Sequence, residues 1–422
     1  MINKKFLLKQ FIDVKKKGYE GLKNKINIVS IHIFWLPAYI LNIPVLLVIK
    51  LLSPFIVIRF EKLKASFYGD VVQAVELYLC EKENKINTLQ KRTLDIFFTD
   101  GKLCNKYLFK IFKRNIIILP KILIFPLYTL SSLNSYFSNH LIGNNSQSDR
   151  DINNLLDKTK TFFKLKKNEV DEGFKFLNSI GISRADKFVC INIREAKYHN
   201  KMDFHNYRNG DINKYLLACE ELTKLGYYVF RVGSHPVKRI KSKNKMIIDY
   251  AHNGMRSEFL DIFLGSHCDF CISTSSGFDS VPIVSRKPIL FITVPVGYFY
   301  TFSSKFMSIT KNHYDLKNKE KLSLKEIFDR NVGFSLHSNN YKNNQVSLED
   351  NDSDELKKIV LEFHDRMIKN IKYKDEKKIA KKFWDVYDKY TKNIMRKNAP
   401  LHGEYKAMVS ISYLKMNKNF LD

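Results

Sequence analysis

At 422 residues the chain is too long for one small domain and long enough for two domains of about 150–200 residues each. With 45% hydrophobic and 27% charged residues, and only 16 Gly and 10 Pro, it is neither disordered nor collagen-like. The net charge of +28 is in part the Lys excess that AT-rich coding DNA produces; the remainder suits anionic lipid or a phosphorylated ligand.

Residues 1–53 read as basic and apolar helices. Phe6, Leu7, Leu8, Phe11, Ile12 and Val14 stand among lysines, the pattern of a short basic amphipathic helix. No cleavable signal pattern is visible. The apolar stretch 31–52 is broken by Pro37 and Pro44, and a second, 116–133, holds Pro120 and Pro126. Both fit core helices or docking on an anionic membrane surface, and the prolines argue against a straight span.

Strand and helix alternate from 54 to 140: strands at 54–60 and 96–98, helices at 71–81 and 103–112, the signature of a parallel α/β sheet. Residues 141–170 are polar, turn-rich and linker-like. From 171 to 345 the alternation is stronger. Strands are expected at 188–193, 227–232, 246–249, 270–273 and 289–294. Helices are expected at 172–180, 211–225, 257–264 and 280–284. Residues 346–422 hold two further helices, 354–371 and 376–395. The layout is α/β, with two Rossmann-type domains, a cleft between them, and helical termini. The six Cys are irregularly spaced. Cys268 and Cys271, in a strand-like stretch, read as core residues and imply no disulfide framework; a reducing cytoplasm is the simplest compartment.

Ligands of open parallel sheets meet the carboxyl ends of strands, which narrows the candidates. The 270–273 strand runs into Ser273-Thr274-Ser275-Ser276-Gly277. Its hydroxyls and helix-start amides can cradle a diphosphate, with Gly277 admitting close approach, although a plain serine cap has the same look. Neither a Walker A nor a GxGxxG pattern is present. The 188–193 strand ends in Arg194 and Glu195, before a loop holding Tyr198, His199, His205, Asn206, Tyr207, Arg208 and Asn209. Arg194 could clasp phosphate and Glu195 could act as acid or base, or the two could pair structurally. No metal is expected, because His199 and His205 lack partners at ligand spacing. Arg231 and Gly233 end the next strand, followed by His235, Lys238 and Arg239, which offer charge to a diphosphate or form a solvated face. Asp249 suits a sugar hydroxyl or a turn cap. Basic residues are spread along the chain without an RNP, zinc-finger or helix-turn-helix pattern, so nucleic acid is not an expected partner.

Several stretches resemble a family of bacterial glycosyltransferases of surface-polysaccharide biosynthesis. They are Phe188-Val-Cys-Ile-Asn-Ile-Arg-Glu195, His205-Asn-Tyr-Arg-Asn209, Tyr228-Val-Phe-Arg-Val-Gly233, Ile248-Asp249-Tyr250-Ala251, Asp261-Ile-Phe-Leu264, Cys268 through Gly277, Lys287-Pro288 and Phe383-Trp384. The first half is similar at Glu76-Leu-Tyr-Leu79, Cys104-Asn105 and Lys113-Arg114. The resemblance covers most of the chain and is most specific between 188 and 290. It implies a GT-B-like fold and a nucleotide-sugar donor used as co-substrate, with no cofactor and no metal. The donor would lie on the C-terminal sheet, at Arg194, Arg231, Gly233, Asp249 and the 273–277 turn. The acceptor, a glycan or lipid-linked glycan, would meet the N-terminal domain and the 205–209 loop, at the inner face of the cytoplasmic membrane.

One departure bears on catalysis. The family carries Arg-Ile-Gly-His after its first strand, whereas this chain has Ser66-Phe67-Tyr68-Gly69-Asp70 and keeps only the glycine. Asp70 or Glu195 is then the expected catalytic base. Two other readings remain open at this level: a sugar-nucleotide-processing enzyme of epimerase type, and a non-catalytic membrane-associated scaffold.

Overall fold

The computed structural model describes residues 18–19, 21–23, 25–27, 29–143, 150–195, 203–234, 236–396 and 399–422. The amphipathic helix expected over the first residues lies mostly outside them, as do Tyr198, His199, His235 and part of the linker. Helices α1 (Gly21–Phe34) and α2 (Leu36–Leu51) lead to β1 (Val57–Leu63), α3 (Tyr68–Glu83), β2 (Thr93–Thr99), α4 (Lys106–Phe112), β3 (Ile117–Ile118) and α5 (Lys121–Leu133). Then come α6 (Lys167–Ser179), β4 (Lys187–Asn192), α7 (Leu216–Lys224), β5 (Tyr227–Arg231), β6 (Ile247–Ile248), α8 (Glu258–His267), β7 (Cys271–Ser273), α9 (Ser280–Val284), β8 (Ile289–Ile292) and β9 (Phe306–Ile309). The chain ends through β10 (Asn312–Asp315), α10 (Leu324–Asp329), α11 (Ser338–Asn343), β11 (Val346–Glu349), α12 (Ser353–Ile368), α13 (Glu376–Thr391), β12 (Met395–Arg396), β13 (Ala399–Pro400), β14 (Met408–Val409) and α14 (Ile411–Met416).

Two compact units interleave in sequence. One comprises 1–63, 87–100 and 116–144; the other comprises 64–86, 101–115 and 145–422. The expected 54–140 domain is therefore divided: its strands fall in the first unit, while α3 and α4, the helices between those strands, fall in the second. The first unit holds a parallel sheet in the order β1-β2-β3. Leu46 and Ile49 of α2 and Ile124 and Leu127 of α5 close a small core over Phe60 and Phe98. A buried ion pair, Arg59 with Asp95 at 2.6 Å, ties β1 to β2.

The second unit is built on a parallel sheet ordered β14-β9-β8-β7-β4-β5-β6. Its strands are short buried apolar runs, as expected of strands covered on both faces. The two-residue alternation of a strand separates the faces. Val189 and Ile191 of β4 point toward α7 and α12, whereas Phe188 and Cys190 point toward α6 and α8. Helix starts are fixed by side-chain caps: Asn105 accepts from the Leu108 amide at 2.8 Å, Ser257 from Leu260 at 3.1 Å and Asp352 from Glu355 at 2.8 Å. All five strands expected between 171 and 345 are present, and α12 and α13 occupy the two expected C-terminal helices. β9 and β14 were not foreseen. Cys268 and Cys271 are buried, free core residues.

Candidate functional site

Strands β4, β5 and β6 run outward in sequence order, after which the chain crosses back to place β7 on the other side of β4. This reversal is the topological switch point, where two neighbouring connections leave in opposite directions and open a crevice at the strand ends. The segment after β4 and the Ser273–Gly277 turn after β7 meet there. Asn192 pairs in register with Ser273. The Thr274 amide donates to the Asn192 carbonyl at 3.1 Å, and the Arg194 amide donates to the Thr274 hydroxyl at 2.8 Å. The Asn192 side-chain amide donates to the Ser276 hydroxyl and, at 3.2 Å, to Asp279. Ser275 is held in a left-handed conformation, φ 58°, with its hydroxyl 2.9 Å from that of Thr293. Such backbone persists only where its surroundings impose it.

Gly277 is indeed a place of close approach, but what approaches is protein. A Cβ there would lie 3.4 Å from the Gly69 amide nitrogen, and a Cβ on Gly69 would lie 3.3 Å from the Gly277 Cα. The Ser280 hydroxyl donates to the Gly69 carbonyl at 3.0 Å and accepts from Gln73 at 3.2 Å. Gly69 is thus the contact that seats the start of α3 on the turn after β7. Asp70, next along the chain, is brought to the same place, half-exposed and 3.4 Å from Lys64.

The 203–211 segment folds back over these strand ends. Arg194 donates to the His205 carbonyl at 3.1 Å and to the Asn209 side chain, and Gly210 returns a hydrogen bond to the Arg194 carbonyl at 2.8 Å. Asn209 donates to the Asn206 side chain at 3.0 Å. Tyr207 is buried and stacked on Tyr341, with ring centroids 5.6 Å apart. Arg208 donates to the Ser275 carbonyl at 3.3 Å, while its buried Nε has no partner. Lys311, after β9, donates to the Asn209 carbonyl and pairs with Asp350 at 2.6 Å. Burial, with help from Arg208, Arg194 and His337, pulls His205 down to about 4. Arg194, Arg208 and Lys311 are therefore gathered around one turn, and Arg208 makes no ion pair among the described residues. An anion would suit this concentration of charge.

Glu195, Arg231 and Asp249 form a different structure. Arg231 is 1% exposed and reaches Glu195 at 3.0 Å and Asp249 at 2.9 Å. Glu195 also accepts from the amides of Val237 and, at 3.2 Å, Lys238; Asp249 accepts from the Ile240 amide at 3.2 Å. This corrects the expectation that Arg231 presents charge to a diphosphate: it lies on the β5 face that packs toward α7 and α12, and its charge is committed to two carboxylates. Glu195 holds that guanidinium and the 237–238 backbone. It does not pair with Arg194. Gly233 has φ 131°, a backbone conformation that favours glycine, and a Cβ built there would stand 3.4 Å from the Asn192 Oδ1.

Three residues of the site escaped sequence reasoning. Asp279 accepts from the Ser276 amide at 2.7 Å, and its spacing from Ser276 is a capping-box signal that could have revealed it. It is 1% exposed, and burial pushes its carboxyl up to about 6 against hydrogen bonds from the Ser276 amide and Asn192. Lys311 and Thr293 follow β9 and β8 and carry no local signal. No group of three or more His, Cys, Asp or Glu side chains fit to hold a metal ion occurs among the described residues.

No protein-family model matches the chain, and no curated protein matches it. Solved structures similar to it include E. coli ADP-heptose lps heptosyltransferase II, at 10% identity and a TM-score of 0.38, covering 60% of this chain and 90% of that one. A glycosyl transferase family 9 protein of Veillonella parvula DSM 2008 is 11% identical with a TM-score of 0.39, covering 60% and 85%.

Proposed function

We propose that the chain is a glycosyltransferase that moves a sugar from a nucleotide-sugar donor to a surface-polysaccharide or lipid-linked glycan, on a GT-B-like pair of Rossmann-type domains. The observation that carries this reading is the gathering of Arg194, Arg208 and Lys311 with the hydroxyl-rich 273–277 turn at the switch point of the seven-stranded sheet. Diphosphates are bound at such crevices in doubly wound sheets, where backbone amides and cations converge. The residue pattern between 188 and 290 supports the same chemistry.

In the transfer, the acceptor hydroxyl oxygen forms a bond to the anomeric carbon, and the bond from that carbon to the diphosphate oxygen breaks. The electron pair leaves with the diphosphate, whose charge Arg208 neutralises. The hydroxyl proton passes to Asp70, the carboxylate seated beside the turn by the Gly69–Gly277 contact. Arg194 positions the 205–209 segment. Glu195 remains the second candidate base: its Oε2 is held by Arg231 and two amides, but its buried Oε1 has no hydrogen-bond partner among the described residues. The donor is a co-substrate, and the reaction is placed at the inner face of the cytoplasmic membrane.

The test is a panel of nucleoside diphosphates and nucleotide sugars in thermal melts and calorimetry. At least one should raise the melting temperature. Arg208→Ala should weaken its binding by about 10–100-fold, the loss expected for a charged hydrogen bond. Asp70→Asn should lower kcat by about 100-fold or more with donor affinity preserved. Absence of binding across the panel, or full turnover by Asp70→Asn, overturns the respective assignment.

A further inference from the structure

Helix α2 is apolar on every side, with one charged residue, Lys50, in sixteen. A helix of that composition belongs inside a protein core or a membrane. Yet only Leu46 and Ile49 of α2 are buried. Leu41 is 73% exposed, Leu51 76%, Phe55 80%, and on α5 Ile122 is 67% and Leu133 76%. Exposed large apolar side chains crowd onto α1, α2, α5 and their connections, whereas in the second unit they are scattered. Monomeric soluble proteins rarely expose apolar patches above a few hundred Å².

The geometry points to insertion of α1, α2 and α5 into one leaflet of an anionic bilayer, without crossing it. Three observations favour lipid over a second protein. Exposure covers α2 except for one stripe, where Leu46 and Ile49 face the core, and acyl chains can cover so wide an apolar arc. The charge is of one sign: there is no Asp or Glu from 21 to 52 or from 101 to 148, while Lys23, Lys25, Lys50 and Lys121 flank the apolar stretches. Tyr39 and Trp35, beside Phe125, supply the amphipathic rings favoured at headgroup depth.

The helices are also built to stay on one side. No single described helix is long and apolar enough to cross; α1 and α2 reach that length and apolarity only together, as a pair broken by a 57° bend. Sixteen residues of α2 reach about 24 Å, short of a hydrocarbon core of about 30 Å. Polar groups within the stretch are satisfied locally: His32 bonds Tyr39 at 2.8 Å, and the Asn42 amide donates to the Ala38 carbonyl at 2.8 Å. Lys50 donates to the Tyr136 carbonyl at 2.9 Å and lies over its ring. This inference stands independently of the donor site.

The experiment is flotation of the full chain with phosphatidylcholine vesicles, with and without phosphatidylglycerol. The chain should float with the anionic vesicles and stay bound in high salt. Leu41→Glu with Ile122→Glu should cut the bound fraction at least about 10-fold, since each loses the transfer of a large apolar side chain. The circular dichroism of that variant should be unchanged. Should it fail to fold, the Trp384→Phe variant leaves Trp35 as the sole tryptophan, and lipids brominated in the upper acyl chain should quench its fluorescence. Failure of the full chain to float, wild-type flotation by the folded double variant, or an unquenched Trp35 overturns the inference. A stable dimer that ignores vesicles would assign the face to a second copy instead.

Discussion

A guanidinium buried at the end of β5 shows how position decides the role of a charged residue. Arg231 lies between Glu195 and Asp249, all at least four-fifths buried by side chain. Removing one member of such a group leaves its partners charged and dehydrated, which costs more than the pair contributes. Arg231→Met should lose about 3–5 kcal/mol of stability in urea unfolding, and adding Glu195→Gln should restore part of it. The Lys64–Asp70 pair is more than 40% exposed on both sides, and its loss should cost no more than about 1 kcal/mol. Sequence reasoning marked Arg194, Glu195, Arg231 and Asp249 as chemically important because they follow strands. It could not divide them, because the Glu195 partner lies 36 residues away and was selected by the pairing of β4 with β5.

The same dependence on distant contacts governs whole elements. The start of α3 is attached to the turn after β7 by two closely approaching glycines, and a methyl group on Gly69 would stand 3.3 Å from the Gly277 Cα and displace it by a few tenths of an ångström. Gly69→Ala should destabilise by about 1–3 kcal/mol and weaken donor binding, read by denaturation and calorimetry together. β4, β5, β7 and β8 were legible because each is a buried apolar run bounded by turn residues. β14 was not: it has two residues and depends on β9 for its hydrogen bonds. β9 follows β8 after an irregular connection rather than a helix, so the alternation that marks parallel strands is missing. At α2 and α5 the apolar stretches were plain, but their exposure depends on what the rest of the unit leaves uncovered.

At the scale of the molecule, buried titratable groups set the response to acid. Burial pulls His267 and His313 down to about 4 and His402 to about 3, and His205 also stands at about 4. The unfolded chain takes up these protons near pH 6.5, so unfolding binds protons and stability falls as pH drops from about 6.5 to 4. Asp279, at about 6, and Glu61, pushed by burial up to about 7, act in the opposite sense: folded, they hold protons that the unfolded chain releases down to about pH 4. His140 and His364, lowered by burial, add to the first set, and Glu76, Asp151 and Asp261, raised by burial, to the second; four of the large shifts are the histidines' and two the carboxyls', so Tm should decrease across that window. Asp279→Asn removes one opposing group and should steepen the decrease in melts recorded from pH 7 to 4.

The sequence by itself determined the α/β class, the strand positions of the second unit, the residues that follow those strands, and the basic apolar character of the N-terminal helices. These rest on composition and on periodicity within a few residues, which any short stretch expresses alone. Tertiary structure decided which charges neutralise one another, that Gly277 receives Gly69, that Lys311 and Asp279 join the site, and that α3 and α4 belong with the second unit. Each of these is set by contacts between segments far apart in the chain, and no local pattern encodes which partner a buried charge or a bare backbone will meet.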